Sequence, residues 1–300
     1  MATNNIPLPD GLVSVDWLRE HLDEPNLAVV DIRGYVNTED HGGGRQVSSY
    51  TDARSEYDGA HIPGSVYVDW TRDIVDPTSP VKVQIAPPDL FATRMGALGI
   101  GDHTVIVAVD HSGGHFATRL WWALRYYGHD QIAVLDGGMA AWTLAGMPTD
   151  DATVTPVPGI FTPRPRAEMR STAEDVRAQI ALDSQQIVDA RDAGQFSGAV
   201  QRGPRGGHIP TARHLPAKAM FTDAGTWKSV DEIRAIAGEA GIDLDRPVTA
   251  YCNGGVTATA VLFGLHRAGL TVGANYDGSW NEWGNRTDLP VEGNRDLWST

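Results

Sequence analysis

The residue of this chain best suited to covalent chemistry is its single cysteine, Cys252. A β-rich run ends at Cys252, two glycines follow, and a helical pattern begins near Val256. A thiol at such a strand-to-helix turn faces unpaired backbone N–H groups and the positive end of the helix dipole, which together stabilise a thiolate. We therefore expect a reactive thiol, and a buried cysteine that only fills space is the alternative. The loop expected to hold the negative charge comprises Asn253, Gly254, Gly255, Val256 and Thr257.

Cysteine phosphatases use a loop of the same kind, so their chemistry has to be considered. They need the spacing Cys-x5-Arg, because the arginine clamps a phosphate with two hydrogen bonds. In this chain that position is Ala258. The missing guanidinium argues against a phosphatase.

The sequence around Cys252 belongs to an internal repeat, so the elements that must position this residue occur twice in the chain. Four short sequence motifs recur in the same order, at offsets of 158, 147, 142 and 141 residues. The pairs begin at Val29 and Ile187, His61 and His208, Leu98 and Ala240, and Leu135 and Tyr276. The first copy has Asp110 where the second has Cys252, and an aspartate cannot act as a sulfur nucleophile. We expect the first copy to support the site without sharing its chemistry, and a decayed copy without a role is the alternative.

In both copies, short β-branched runs alternate with helical stretches, which is typical of an α/β fold with a mainly parallel sheet. Predicted strands cover 28–32, 105–109, 132–135, 186–189, 247–251 and 274–276, and predicted helices cover 15–21, 88–97, 117–127, 171–182, 229–240 and 256–268. A proline-rich segment with little apolar periodicity separates the copies. The pattern predicts domains at 1–150 and 166–300, joined by a linker at 151–165.

Composition narrows the possible partners and location. The net charge of −14 argues against a nucleic-acid partner, and no apolar stretch approaches the ~20 residues of a membrane span. No secretory signal is visible, and one cysteine fits a reducing compartment, so we expect a cytoplasmic protein. Residues 1–150 hold 20 acidic and 9 basic residues, whereas residues 151–300 hold 18 and 15. The second half therefore repels an anionic ligand less strongly than the first half does.

The tandem copies, the two Asp-x-Arg strands, the two His-Ile-Pro words and the single C-terminal cysteine loop resemble the two-domain rhodanese family. The resemblance extends from about Leu12 to Val291 and implies two tandem rhodanese-like domains, of which only the second is catalytic. It implies a thiosulfate or 3-mercaptopyruvate sulfurtransferase without a cofactor or metal. Cys252 would take a sulfane sulfur from a small anionic donor as a persulfide and pass it to cyanide or a thiol.

The preferred donor stays open, because the loop departs from both branches of the family. Members that prefer thiosulfate usually carry basic residues after the cysteine, and here Asn253 and Gly254 are neutral. Members that prefer 3-mercaptopyruvate usually carry a serine in this loop, thought to act with a histidine and an aspartate of the first domain. Asp52 and His61 resemble those partners, but Gly254 occupies the serine's place. That relay therefore cannot operate as proposed for the family.

A second departure concerns the clamp for the donor's anion. Gln195 stands where the family usually has an arginine, and Arg202 or Arg205 could substitute for it. Tyr35 and Phe116 resemble the aromatic residues that the inactive domain places over the cysteine, where they would shield a persulfide from water. Because Gln195 and Gly254 weaken the expected donor site, a non-catalytic or partner-dependent sulfur carrier or binding module on the same scaffold is the alternative function.

Overall fold

Two parallel sheets dominate the structure. A computed structural model of the protein describes residues 6, 8–182, 185–293 and 297. Within them, the first sheet has the order β1-β7-β6-β2-β5 and the second β10-β9-β11-β12-β8, while β3 and β4 form an antiparallel hairpin. The strands are β1 (Leu12–Val13), β2 (Leu27–Asp31), β3 (Gly34–Asp40), β4 (Gln46–Asp52), β5 (Val66–Tyr67), β6 (Val105–Val109), β7 (Ile132–Leu135), β8 (Arg170–Ser171), β9 (Gln186–Asp189), β10 (Arg213–His214), β11 (Val248–Tyr251) and β12 (Gly273–Tyr276).

Helices flank both sheets. They are α1 (Val15–His21), α2 (Arg54–Gly59), α3 (Pro88–Ala97), α4 (His115–Tyr126), α5 (Gly138–Leu144), α6 (Ala173–Leu182), α7 (Ala193–Phe196), α8 (Val230–Glu239), α9 (Thr257–Ala268) and α10 (Ser279–Trp283). Strand β11 of the second sheet lies between β9 and β12, just as β6 of the first lies between β2 and β7. The predicted fold class, two α/β units with parallel sheets, is confirmed.

The two halves meet along α4 and α9, which pack against each other. The ring of Trp121 on α4 meets the ring of Phe263 on α9 edge-on, with centroids 5.1 Å apart. The buried hydroxyls of Thr118 and Thr259 lie 3.1 Å apart in the same contact. Because both helices begin beside the loops that follow β6 and β11, this packing brings the loops of the two halves together.

The hairpin β3–β4 was not predicted. Its two strands are largely polar, and in the structure most of their residues are exposed or half-buried. The glycines between the strands, at positions 42–44, form the turn of the hairpin and have positive φ angles that glycine adopts without strain. The backbone N–H of Gln46 donates to the carbonyl of Gln201 at 2.9 Å, which ties the hairpin to the second half.

Candidate active site

Cys252 lies at the carboxyl end of a central strand, the usual place for a ligand site in a parallel sheet. It follows β11 directly and is 2% exposed. Its backbone N–H donates to Ser279 Oγ at 3.1 Å, and its carbonyl accepts from the N–H of Trp280 at 3.0 Å. Ser279 has a φ of 49°, a left-handed conformation that costs a serine about 1–2 kcal/mol. The contact with Cys252 thus depends on a strained residue, as is common at functional sites.

The loop after Cys252 contains backbone N–H groups that lack an acceptor. Thr257 opens the twelve-residue helix α9, whose first turn leaves N–H groups without helical acceptors. Within the described residues, the N–H groups of Gly254, Val256 and Ala258 donate to no protein acceptor. An anion on the sulfur of Cys252 would supply that acceptor, and the dipole of α9 favours it.

The first half contains a copy of this loop in which the amides are occupied. Asp110 follows β6 as Cys252 follows β11, and α4 begins five residues after Asp110, as α9 does after Cys252. The carboxylate of Asp110 accepts hydrogen bonds from the backbone N–H groups of Ser112, Gly114 and Phe116, at 3.1, 2.9 and 2.8 Å. These three amides correspond to those left open after Cys252. The loop of the first copy is therefore an anion-binding nest, and the loop after Cys252 has the same three amides without a protein acceptor.

A buried arginine of the first half holds the cysteine loop from behind. Arg119 on α4 donates to the carbonyl of Gly255 at 3.0 Å and forms an ion pair with Asp277 at 2.7 Å. Both side chains of the pair are 1% exposed. Gly255 itself has a φ of 71°, and a Cβ there would lie 2.8 Å from the carbonyl of Asp277. The middle of the loop therefore requires glycine, and its carbonyl points away from the thiol toward Arg119.

Cys252 opens into a cavity of about 280 Å³ between the two halves. The hairpin contributes three residues and α4 contributes His115, so the first half forms one side of the cavity. Its lining comprises Val36, Thr38, Tyr50, His115, Ala190, Arg191, Asp192, Gln195, Arg202, Ala217, Lys218, Cys252, Asn253, Gly254, Val256 and Thr257. The size suits a small molecule of a few heavy atoms.

Comparison with known proteins agrees with this geometry. A family model described as "Rhodanese-like domain" matches residues 14–145 and again residues 172–286. The chain belongs to the rhodanese family. The resemblance inferred from the sequence is thereby confirmed.

Curated relatives cover most of this rhodanese. The chain is 34% identical over 284 residues to a 3-mercaptopyruvate sulfurtransferase of Escherichia coli (strain K12), covering 93% of this chain and 97% of the relative. It is 32% identical over 282 residues to a thiosulfate sulfurtransferase of Gallus gallus, covering 92% and 93%. A crystal structure of a 3-mercaptopyruvate sulfotransferase from Escherichia coli matches with a TM-score of 0.78 and 31% identity, over 90% of this chain and 98% of that one. The expected enzyme class, a sulfurtransferase, agrees with these relatives.

Of the residues predicted to bind the donor, the structure of this rhodanese brings two to the cavity. Gln195 on the short helix α7 is buried, and its Oε1 has no hydrogen-bond partner within the described residues. Arg202 also lines the cavity, and its Nε donates to Gln46 Oε1 at 3.0 Å. Burial lowers the pKa of Arg202 from its ordinary value, although an arginine stays charged at neutral pH. Gln195 thus supplies an unpaired polar group and Arg202 a positive charge.

The guanidinium of Arg205 is used elsewhere. It donates to the backbone carbonyls of Leu289 at 2.7 Å and of Trp283 at 2.5 Å. Two further acceptors are the carbonyls of Gly284 and Arg286. These bonds hold the chain after α10, so Arg205 has a structural role, and of the two predicted arginines Arg202 is the one that lines the cavity.

The aromatic residues expected over the cysteine lie elsewhere, and this expectation needs correction. Tyr35 is 36% exposed, packs against His111 with ring centroids 4.8 Å apart, and hydrogen-bonds to Glu56. Phe116 is buried against Trp70, at a centroid distance of 4.8 Å. Residues alternate between the two faces of a hairpin strand, so Val36 faces the cavity while its neighbour Tyr35 points outward.

Asp52 and His61, expected as partners of a loop serine, also lie away from the cysteine. Asp52 ends β4, and its carboxylate accepts from the N–H of Arg54 at 2.8 Å. His61 is buried in the first half, where its Nδ1 lies 2.7 Å from the carbonyl of Tyr57 and its Nε2 lies 3.0 Å from the carboxylate of Asp150. Both residues cap local structure and neither lines the cavity, while Gly254 already rules out the relay usual in the family.

The absence of that serine has a steric cause. A Cβ at Gly254 would lie 2.6 Å from Val83 Cγ2 and 3.1 Å from Asn281 Nδ2. Val83 comes from the first half and has a φ of 59°, which is strained for a β-branched residue. Its carbonyl accepts from Arg119 Nη2 at 2.9 Å, which helps to hold it there. Packing against the first half thus leaves room for no side chain larger than that of glycine at position 254.

Tyr50 and His115 are among the residues of the cavity that the sequence did not predict. Tyr50 of β4 accepts from Asn281 Nδ2 at 3.1 Å through its hydroxyl, which couples the hairpin to the cysteine's half. His115 opens α4, four residues before Arg119. A hairpin prediction from the glycine turn would have paired β3 with β4 and placed Tyr50 opposite Val36. No sequence signal indicated that His115 would line the cavity of Cys252, because that cavity lies between the halves.

Other kinds of site receive no support. Among the described residues, no group of three or more His, Cys, Asp or Glu side chains could hold a metal ion. In the same part of the chain, no helix combines the length and apolar character needed to cross a bilayer.

Proposed function

We propose that this rhodanese is a sulfurtransferase that moves a sulfane sulfur from thiosulfate or 3-mercaptopyruvate to cyanide or a thiol, through a persulfide on Cys252. The observation that carries the proposal is the pair of repeated loops. The nest around Asp110 holds a carboxylate, whereas the equivalent nest around Cys252 is open beside a thiol and a small cavity. The single cysteine supports a reducing, cytoplasmic location.

In the first half-reaction, the Cys252 thiolate attacks the outer sulfur of the donor and forms an S–S bond. With thiosulfate, the donor's own S–S bond breaks and sulfite leaves with the bonding electrons. With 3-mercaptopyruvate, the C–S bond breaks and pyruvate leaves as its enolate, which takes up a proton. The persulfide's negative charge is held by the N–H groups of residues 253–257 and by the Thr257 hydroxyl.

The donor's second charge needs its own partner in the cavity. Arg202 is the cation that we assign to this role, because its guanidinium lines the cavity and bonds only through Nε to Gln46 among the described residues. Gln195 can donate a further hydrogen bond to the same anion through its amide. Arg191 also lines the cavity, but its guanidinium is occupied by Asp189 at 2.6 Å and by the carbonyl of Gly207 at 2.7 Å.

We further propose that residues 166–300 form the catalytic domain and residues 1–150 the supporting one, joined by 151–165. The support consists of one wall of the cavity and of the bonds from Arg119 to the cysteine loop. The first copy is therefore retained for a structural task, and its Asp110 removes any competing thiol chemistry.

Mass spectrometry of the intact protein tests the proposal. The protein is incubated with thiosulfate or with 3-mercaptopyruvate, freed of excess donor and weighed. A gain of one sulfur atom that disappears in Cys252→Ser supports the enzyme. No gain from either donor would contradict it and would favour the sulfur-carrier or binding module.

A further inference from the structure

His115 is a titratable side chain that the proposed half-reactions leave unused, although it faces the same cavity as Cys252. It is the first residue of α4 and so comes from the first half of the chain. Its ring stacks on Phe221, with centroids 5.1 Å apart and an interplanar angle of 24°. Within the described residues, its backbone N–H and carbonyl are bonded to Ser112 and Thr118, but neither ring nitrogen has a hydrogen-bond partner. An oriented imidazole without a hydrogen-bond partner is thus held in the cavity that Cys252 also lines.

The charged groups around His115 come from both halves. Asp110 precedes it in its own loop, and Asp192, Lys218 and Arg202 face the cavity from the second half. Burial lowers the pKa of His115, and the charges of Asp110 and Asp192 oppose that shift without cancelling it. The imidazole is therefore neutral at neutral pH, and a neutral imidazole can accept a proton.

No other group of the cavity suits this task as well. Arg191 and Arg202 carry guanidinium groups, which stay protonated in proteins and cannot act as bases. Burial raises the pKa of Tyr50, which keeps its hydroxyl protonated. Asp192 has a 62% exposed side chain and lies 3.8 Å from Lys218, so its carboxylate is already solvated and paired with a cation.

We propose that His115 is the general base of the second half-reaction when the acceptor is a thiol. The inference rests on the proposed function, because it concerns the removal of sulfur from the Cys252 persulfide. The neutral imidazole takes the proton of the acceptor thiol, and the resulting thiolate attacks the outer sulfur. The S–S bond of the persulfide breaks, its electrons return to Cys252 as thiolate, and the acceptor leaves as a persulfide. Proton, sulfur and electron pairs balance without a further reagent.

The role predicts a dependence on the acceptor that a structural role would not produce. Sulfite attacks the same sulfur as an anion at mildly alkaline pH and has no proton to lose. General-base catalysis contributes on the order of 10²-fold or more to a rate, so the ratio of thiol to sulfite transfer rates should fall by about 10²-fold in His115→Gln and His115→Phe. His115→Phe keeps a ring that can stack on Phe221. If the ratio of thiol to sulfite transfer rates falls in both variants, the cause is the loss of the base and not the loss of the stacked ring.

Single-turnover kinetics provide the test. Cys252 is loaded with inorganic polysulfide, so that the measurement does not depend on either proposed donor, and the persulfide is discharged by 2-mercaptoethanol or by sulfite. The loss with thiol should shrink as pH rises toward the pKa of the acceptor thiol, because the solvent then supplies the thiolate. His111→Gln, in the same loop but outside the cysteine's cavity, is the matched control and should keep the wild-type ratio.

Equal losses with thiol and sulfite, or a thiol deficit that does not vary with pH, would overturn the assignment to His115. The proposed function has a separate failure, in which neither thiosulfate nor 3-mercaptopyruvate loads Cys252 while polysulfide does.

Discussion

Asp110 and Cys252 occupy equivalent positions at the ends of central strands in the two sheets, and the carboxylate of Asp110 fills the nest that stays open at Cys252. The backbone repeats the relationship, since the carbonyl of Asp110 accepts from Met139 at 2.8 Å as that of Cys252 does from Trp280 at 3.0 Å. The same loop thus occurs twice, once with a carboxylate bound inside it and once next to a nucleophilic thiol. The two copies share the loop geometry and differ in the residue at the end of the strand, which determines the chemistry that each copy can perform.

Replacement of Arg202 should weaken donor binding. We expect Arg202→Gln to raise KM for thiosulfate by about tenfold or more, because a hydrogen bond to a charged group contributes about 1.5–3 kcal/mol. Steady-state kinetics of sulfur transfer to cyanide measure this change. Arg205→Gln is the control, since its guanidinium binds backbone carbonyls after α10. It should lower the free energy of unfolding and leave KM unchanged, and the reverse pattern would contradict the assignment of the clamp to Arg202.

A serine at position 254 should not improve this enzyme. In Gly254→Ser the new Cβ meets Val83 Cγ2, so we expect overpacking to cost about 1–3 kcal/mol in unfolding free energy and to slow sulfur loading. Chemical denaturation and loading rates report the two effects. Val83→Ala in the same chain removes the clashing methyl group and should recover much of both losses. A Gly254→Ser variant as stable and active as the wild type would show that the first half does not reserve this space.

The ion pair of Arg119 with Asp277 should be strongly coupled. Arg119→Met leaves Asp277 buried and removes the donor to the carbonyl of Gly255, so we expect a loss of about 3–5 kcal/mol in unfolding free energy and slower persulfide formation. Urea denaturation of the two single variants and of Arg119→Met/Asp277→Asn measures the coupling. The double variant should lose less than the sum of the single losses. Strict additivity would indicate that the two side chains do not depend on each other.

Stability should respond to pH through His129. Burial lowers the pKa of His129 below its ordinary value of 6.5, so the unfolded chain binds a proton more readily than the folded one. The stabilising contribution of the neutral ring is therefore fully present above about pH 6.5 and is lost as pH falls below that value, through the lower pKa of the folded state. His129→Gln can still donate to the carbonyl of Thr104 but does not titrate. The wild type should lose stability relative to this variant between neutral and mildly acidic pH, and parallel stability curves would contradict the shift.

Local structure near the cysteine could be predicted from the sequence, because it depends on local patterns. The helical period gives 88–97 as observed, and 256–268 is within one residue of α9. The strand before Cys252 and the glycines after it likewise predict the nest. The predictions that were wrong depend on contacts between the halves. Tyr35 was predicted at the cavity, where the structure has Tyr50. No local sequence pattern indicates that Val83 lies against Gly254.

The most direct test of the account is the intact mass of the protein after incubation with thiosulfate or 3-mercaptopyruvate and removal of excess donor, followed by peptide mapping. We predict one added sulfur atom on Cys252, its loss on addition of cyanide or a thiol, and none in Cys252→Ser. A mass that stays unchanged with both donors, or an added sulfur that persists in Cys252→Ser, would contradict the central claim.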